Sequence, residues 1–276
     1  MTESRLLLPN DDNPFRIDGR IALLTGATGH LGQAMAEGLA RAGAHVILNG
    51  RSGEKVGRLK KTLKAQGLSI SGAAFDITDP GVVEAQIQRI AEEHGQLDIL
   101  VNNAYSGRPG TMAGSTPQDF ESAYRIAVTA VFSMVQLCLP LLKAAAQCHA
   151  AGASVINIGS MYGMVSPNAS IYGDSGLNSP PYYGAAKAAL IQLTRYTACH
   201  LAPERIRVNC ISPGPFPASE FVGKNPAFHQ KLCAQSPMGR TGEPRELIGP
   251  LLFLSSDASS YVTGINLPVD GGWTSW

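Results

Sequence analysis

The stretch that most constrains the fold is Ile21-Ala-Leu-Leu-Thr-Gly-Ala-Thr-Gly-His-Leu-Gly32. Ile21 to Leu24 is a short apolar run of the kind a fully buried strand needs, and Leu31, Ala34, Met35, Leu39 and Ala42 then recur at helical spacing. Between them stand Gly26, Gly29 and Gly32, with Thr28, His30 and Leu31 in the same turn. Glycine tolerates positive φ and lets a phosphate reach the backbone. The free N–H groups and the dipole at the start of the helix favour an anion there. A glycine turn by itself is common in α/β proteins; the strand before it and the helix after it are what point to a dinucleotide phosphate.

The pattern repeats along the chain. Short apolar runs at 44–48, 70–75, 97–101, 154–158, 206–211 and 265–269 alternate with helical patterns near 53–66, 80–94, 117–147, 182–201 and 244–256. Such alternation predicts one Rossmann-like doubly wound α/β domain over 20–276, a parallel sheet of about seven strands with helices on both faces. Residues 1–19, crowded with Pro9, Asn10, Asp11, Asp12, Asn13 and Pro14, read as a loose N-terminal arm. The segment 216–243 reads as irregular and partly helical. Pro140 predicts a bend in the 117–147 helix. That helix holds the most apolar run, but Thr129, Ser133, Gln136 and Pro140 mark it as a buried core helix, not a membrane span.

Composition narrows the function. With 44% hydrophobic and 16% charged residues, the 276-residue chain can build a large core. A net charge of +1 gives no electrostatic footprint for nucleic acid or an acidic membrane. The five cysteines and six histidines show no metal-ligand spacing; the cysteines read as reduced thiols of a cytoplasmic protein. No serine stands in a G-x-S-x-G elbow, so a hydrolase reading finds no nucleophile.

In an open parallel sheet, ligands bind beyond the carboxyl ends of the strands. Those ends collect the glycine turn, Gly50-Arg51-Ser52, Asp76, Asn102-Asn103-Ala104-Tyr105, Ser160 and Pro213-Gly214. The second strand ends without the carboxylate that would read a ribose 2′-hydroxyl, and Arg51 follows; a guanidinium there can grip a 2′-phosphate, which favours NADP over NAD. The alternative is that Arg51 joins the solvated basic face formed by Lys55, Arg58, Lys60, Lys61 and Lys64. Tyr183 precedes Lys187 by four residues, one helical turn. An ammonium beside a phenol favours phenolate and fits the phenol for proton transfer to or from a carbonyl oxygen. The spacing alone is weak, because such pairs also arise by chance. Ser160 could hydrogen-bond the same oxygen, or serve simply as a turn residue.

With these residues in order, the chain resembles the short-chain dehydrogenase/reductase family from about residue 20 to 272. The matching pieces are Thr25-Gly-Ala-Thr-Gly-His-Leu-Gly32, Asp76-Ile77, Asn102-Asn-Ala104, Ser160, Tyr183-Gly-Ala-Ala-Lys187, Arg207-Val-Asn209, Pro213-Gly214 and Val269-Asp-Gly-Gly272. The resemblance implies an NAD(P)-dependent oxidoreductase with Ser160, Tyr183 and Lys187 as catalytic residues. It implies that Lys187 binds the nicotinamide ribose, Asp76 and Ile77 hold the adenine, Asn103 and Ala104 line the cofactor, and the backbone from Pro213 to Phe216 meets the nicotinamide. It also implies a homotetramer or homodimer joined partly through the two long helices.

Four departures stand out. His30 replaces a usual glycine, giving a spacing like that of the extended members, whose long C-terminal substrate domain this chain lacks. Tyr105 replaces the glycine of the asparagine turn. Ala127 stands where the family has a catalytic asparagine that links Lys187 to water, so one member of that relay is missing. Ser160 and Tyr183 are about ten residues further apart than usual in the family, the excess falling in the 161–181 loop. The segment Gly159 to Pro167 with its polar insertion looks most like gluconate 5-dehydrogenases, and Asn168, Ser170, Tyr172, Asp174, Ser175 and Asn178 could serve a polyhydroxylated substrate or simply be solvated. The leading expectation is an NADP-linked oxidoreductase of a sugar or sugar acid. A 3-oxoacyl-thioester reductase and a non-catalytic NADP-binding regulator are the alternatives.

Overall fold

The alternation of buried runs and amphipathic segments closes into a single sheet in the computed structural model, which describes residues 13–173 and 178–276. Strands β1 (Ile21–Leu24), β2 (His45–Gly50), β3 (Ile70–Ala74), β4 (Ile99–Asn102), β5 (Ala153–Ile158), β6 (Ile206–Pro213) and β7 (Asn266–Val269) lie in the order β3-β2-β1-β4-β5-β6-β7. Every neighbouring pair is parallel. The order reverses between β1 and β4, which opens a crevice at their carboxyl ends.

The helices are α1 (His30–Arg41), α2 (Gly53–Lys64), α3 (Pro80–His94), α4 (Pro117–Tyr124), α5 (Ala130–Ala146), α6 (Ala169–Tyr172), α7 (Pro181–Leu201), α8 (Ser219–Lys224), α9 (Pro226–Gln235) and α10 (Ile248–Ser255). Strand side chains alternate between faces. Ala22, Leu24, Val46, Leu48, Val101 and Ile156 therefore pack with Met35 and Leu39 of α1 and Leu251 and Leu254 of α10. Leu23, Ile47, Leu100 and Val155 pack on the other side with Ile87 and Ile90 of α3 and Met134, Cys138 and Leu142 of α5. The apolar 117–146 segment is long enough to cross a membrane by composition, yet its inner face is part of this core.

Two local expectations change. Residues 13–19 are not a loose arm: the Ile17 side chain is buried in the core, and its N–H donates to the Ala42 carbonyl at 3.0 Å. A single isoleucine among polar residues is enough to plug the open end between α1 and β2. Helix α5 continues through Pro140, and the segment also carries a π turn over Arg125–Thr129, which the sequence does not announce. That turn widens the backbone ladder and carries buried Ala127 on its inner face. The 216–243 segment holds α8 and α9. The Arg207-Val-Asn209 motif is architectural: Arg207 donates to the Leu254 and Ser256 carbonyls at the end of α10, and Asn209 ties β6 to Val262 and Ile265.

Candidate active site

A cavity of about 470 Å³ follows the rim from β3 to β4. Gly26, Thr28, Gly29, His30, Leu31 and Gly32 line it from the glycine turn, Arg51 from the end of β2, Asp76 and Ile77 from the end of β3, and Asn103 and Ala104 from the end of β4. The turn is built for close approach. Gly26 has φ +64°, and a Cβ on it would stand 2.8 Å from the Ala104 Cα; a Cβ on Gly32 would strike the Gly26 carbonyl oxygen and lie 2.9 Å from the Ala27 Cα. Only backbone can yield there, so Gly32→Ala is expected to lower stability by about 2 kcal/mol or more in thermal unfolding. An unchanged Tm would show that the turn is not packed in this way.

Polar side chains brace the cavity wall. Thr25 Oγ1 accepts from the Asn103 N–H at 2.9 Å and the Ala104 N–H at 3.1 Å, and donates to the Val101 carbonyl. The Asn103 amide donates to the Thr25 and Gly26 carbonyls, so its donors hold the glycine turn rather than pointing free into the cavity. Asn49, which the sequence reading passed over, braces the same turn: it accepts from the Gly26 N–H and donates to the Ala73 and Phe75 carbonyls. Asp76 is held below the usual carboxylate range, first by the Thr78 N–H and then by the Thr78 hydroxyl and nearby Arg51 and Arg125, against the opposing effect of burial.

Arg51 does not stand alone at its end of the cavity. Lys55, in the first turn of α2, lines it as well. The sequence places Lys55 on the solvated basic face of α2; Arg51 precedes the Ser52 cap and lies outside the helix, so no helical spacing pairs the two. Ser52 is not on the cavity wall; its hydroxyl caps α2, accepting from the Lys55 N–H.

Further along the rim the elements converge on Ser160, Tyr183 and Lys187. Ser160 ends the turn after β5 and starts the short helical turn Met161–Gly163. That turn lies directly on α7. A Cβ on Gly163 would come within 2.9 Å of the Lys187 carbonyl carbon, and one on Gly184 within 2.8 Å of the Tyr162 carbonyl oxygen. Two glycines thus let Ser160 and Tyr183 meet despite the longer loop between them, close enough for the serine hydroxyl to favour the phenolate. Tyr182, packed in the same cluster, is committed elsewhere: its hydroxyl donates to the Arg108 carbonyl at 2.7 Å.

Lys187 is 4% exposed and donates to the Ile158 carbonyl at 2.6 Å. Burial pulls its ammonium down to about 8, with the Cys210 sulfur opposing weakly. The Tyr183 phenol is displaced upward by burial; the Ser160 hydroxyl opposes this only in part. The phenol is therefore displaced opposite to the acidification expected from Lys187: desolvation is the largest influence on it, and the ammonium is engaged by a backbone carbonyl. Pro213 closes β6 beside Val269, Gly214 packs on Asp270, and Phe216 lies against Gly242 over a separate cavity of about 100 Å³. These three residues flank the rim without lining the main cavity.

In the 161–181 loop, Asn168 caps α6, accepting from the Ser170 N–H and hydroxyl, so both residues are spent on local structure. The Tyr172 hydroxyl pairs with that of Tyr162 at 2.9 Å. Asn178 lines a groove with Met112, Met164 and Pro167, while Asp174 and Ser175 lie outside the described residues. Among the described residues, no cluster of His, Cys, Asp or Glu could hold a metal ion.

A parallel sheet with this strand order, a glycine turn at its switch point and a Ser–Tyr–Lys group on the same rim defines a dinucleotide-dependent oxidoreductase. A family model described as enoyl-(acyl carrier protein) reductase matches residues 26–274. The rhamnolipids biosynthesis 3-oxoacyl-[acyl-carrier-protein] reductase of Pseudomonas aeruginosa is 35% identical, over 94% of this chain and 98% of that protein. The structure of the Pseudomonas aeruginosa RhlG/NADP active-site complex superposes with a TM-score of 0.86 at 35% identity, covering 95% of this chain and 99% of that one. A gluconate 5-dehydrogenase from Burkholderia cenocepacia, in complex with NADP and tartrate, superposes with a TM-score of 0.84 at 32% identity, covering 95% and 98%. The chain belongs to the short-chain dehydrogenase/reductase family and is an NAD(P)-dependent oxidoreductase acting on hydroxyl or keto groups.

Proposed function

We propose that this enzyme uses NADP to interconvert a secondary alcohol and a ketone on a polar substrate of the sugar or sugar-acid class, with Ser160, Tyr183 and Lys187 as its catalytic residues. The observation that carries the reading is the meeting of the Ser160 hydroxyl and the Tyr183 phenol beside a buried Lys187, next to a cavity shaped for a dinucleotide.

The residues present fit NADP. The turn from Gly26 to Gly32 offers backbone N–H groups where any side chain would intrude. Lining the cavity, Arg51 and Lys55 would hold a 2′-phosphate, Asp76 and Ile77 the adenine, and Asn103 and Ala104 would form the wall beside the ribose. Pro213, Gly214 and Phe216 border the nicotinamide end. When bound, the nicotinamide supplies or takes up the hydride. Tyr183, kept protonated by burial, is in the form that gives a proton to a ketone oxygen, and Ser160 donates a hydrogen bond to that oxygen as its charge develops. The free enzyme is thus poised for reduction.

Arg51→Ala is expected to raise the NADPH dissociation constant about a hundredfold and leave that of NADH unchanged, because a charge-assisted phosphate contact is lost. Fluorescence titration of the two nucleotides measures this. Equal loss for both would move Arg51 out of the phosphate site.

The sugar-acid class is favoured by the gluconate 5-dehydrogenase relative, whose structure is a complex with NADP and tartrate. The Pseudomonas relative and the Met112 and Met164 side chains in the adjacent groove favour instead a 3-oxoacyl thioester. Following NADPH absorbance with keto-acids, ketoses and 3-oxoacyl thioesters separates the two. Turnover confined to thioesters would overturn the sugar-acid reading, and no turnover with tight NADPH binding would return the regulator. Association into a dimer or tetramer is carried by the outer faces of α5 and α7, where Phe132 and Tyr196 are exposed; sedimentation reads it directly.

A further inference from the structure

Tyr105 occupies the turn position after Ala104 where the family has glycine, and the fold makes room for its ring. It joins a cluster with Ala123 of α4, Ala127 and Val128 of the π turn, and Tyr182, Tyr183 and Ala186 of α7, in which the fully buried residues from α4 and the π turn are both alanine. At Gly107 a Cβ would stand 3.0 Å from the ring edge. The Lys187 Nζ lies over the Tyr105 ring, 5.2 Å from its centroid, and 5.9 Å from the centroid of Tyr183. The two rings meet edge to face at 5.0 Å. The Lys187 ammonium carries three donors but among the described residues makes one hydrogen bond, to Ile158. The other titratable groups facing it are Tyr183 on its own helix and Cys210 on β6, both displaced upward by burial and so uncharged at neutral pH. Among the described residues the Tyr105 hydroxyl is buried without a partner, so the contact this residue makes with the site is through its ring.

We propose that Tyr105 is a positioning residue for Lys187: the face of its ring supplies, by cation–π attraction, the solvation that burial takes from the ammonium, and so keeps the lysine charged beneath Tyr183. A cation within about 6 Å of an aromatic centroid is attracted by the ring quadrupole, most strongly where water is excluded. The inference rests on the reading of Lys187 given under Proposed function, but the attraction itself exists in the free enzyme.

The experiment titrates Lys187 directly, by the NMR shift of its 13C-labelled Cε in the free full-length chain, the signal being assigned by its loss in Lys187→Met. Tyr105→Phe is compared with mono-, di- and trifluorophenylalanine at the same position, which weaken the quadrupole while barely changing the shape. The expected result is a titration midpoint unchanged in Tyr105→Phe that falls stepwise with fluorination, by about one unit at the end of the series. A midpoint constant across the fluorinated series, or one already displaced in Tyr105→Phe, overturns the proposal. If the midpoint moves as expected but no substrate is turned over, the functional reading fails and the positioning role stands. If the enzyme turns over normally and the midpoint is constant, the reverse holds.

Discussion

Replacing Tyr183 by phenylalanine is expected to lower kcat for reduction about a thousandfold while changing the NADPH dissociation constant less than threefold. The magnitude follows from the loss of a positioned proton donor. The phenol lies half-buried at the start of α7 beside the Ser160 hydroxyl. Tyr182 cannot substitute, since its hydroxyl is committed to the Arg108 carbonyl. The displacement of the phenol also fixes the pH behaviour. Burial raises it above the ordinary phenol value, so it stays protonated throughout the neutral range, and reduction there is not limited by the protonation state of Tyr183. Steady-state kinetics with the best substrate from the panel, beside a nucleotide titration, checks both numbers. A variant that keeps a tenth of wild-type turnover would remove Tyr183 from the chemistry.

Lys187→Met is expected to abolish turnover and to stabilise the protein at pH 7. The ammonium is buried and titrates near about 8, against 10.5 for an ordinary lysine, so below pH 8 the folded chain bears the full cost of a buried charge. That displacement corresponds to about 3 kcal/mol. Losing the Ile158 hydrogen bond and the aromatic contacts takes back about 2 kcal/mol, leaving a net gain of about 1 kcal/mol, or a Tm higher by about 2–4 °C. The sign with pH is definite. Folded and unfolded chains both carry the proton below about 8, and neither carries it above 10.5, so the advantage of the methionine fades as pH rises between those values. Thermal unfolding at pH 7 and pH 10 measures it. A variant less stable than wild type at pH 7 would show that Lys187 supports the fold and is not held there at its expense. Function placed at a cost to stability is common where a charge is needed in a dry site.

Several site residues were visible in the sequence because their chemistry is local. Gly26, Gly29 and Gly32 announce the phosphate turn by their spacing, and the first strand has the bounds its apolar run gives it. Partnerships across the fold were not visible. Lys55 looked like any lysine on a basic face until α2 was packed against β3 beside Arg51. Asn103 looked like a ligand for the cofactor, and its amide turns out to brace the glycine turn. Asn168 and Ser170 looked available to a substrate, and they cap a helix. In each case the residue type states what bonds are possible, and only the neighbours decide which are made.

By itself the sequence determined the order of strands and helices, the parallel sheet and the place of the phosphate turn, because hydrophobic period and glycine spacing are properties of consecutive residues. The tertiary structure alone decided the protonation of the site. Whether Tyr183 is acid or base, and how firmly Lys187 holds its charge, depends on how much water is excluded and which rings and carbonyls replace it. Desolvation is a sum over atoms far apart in the chain, and no spacing between Tyr183 and Lys187 contains it.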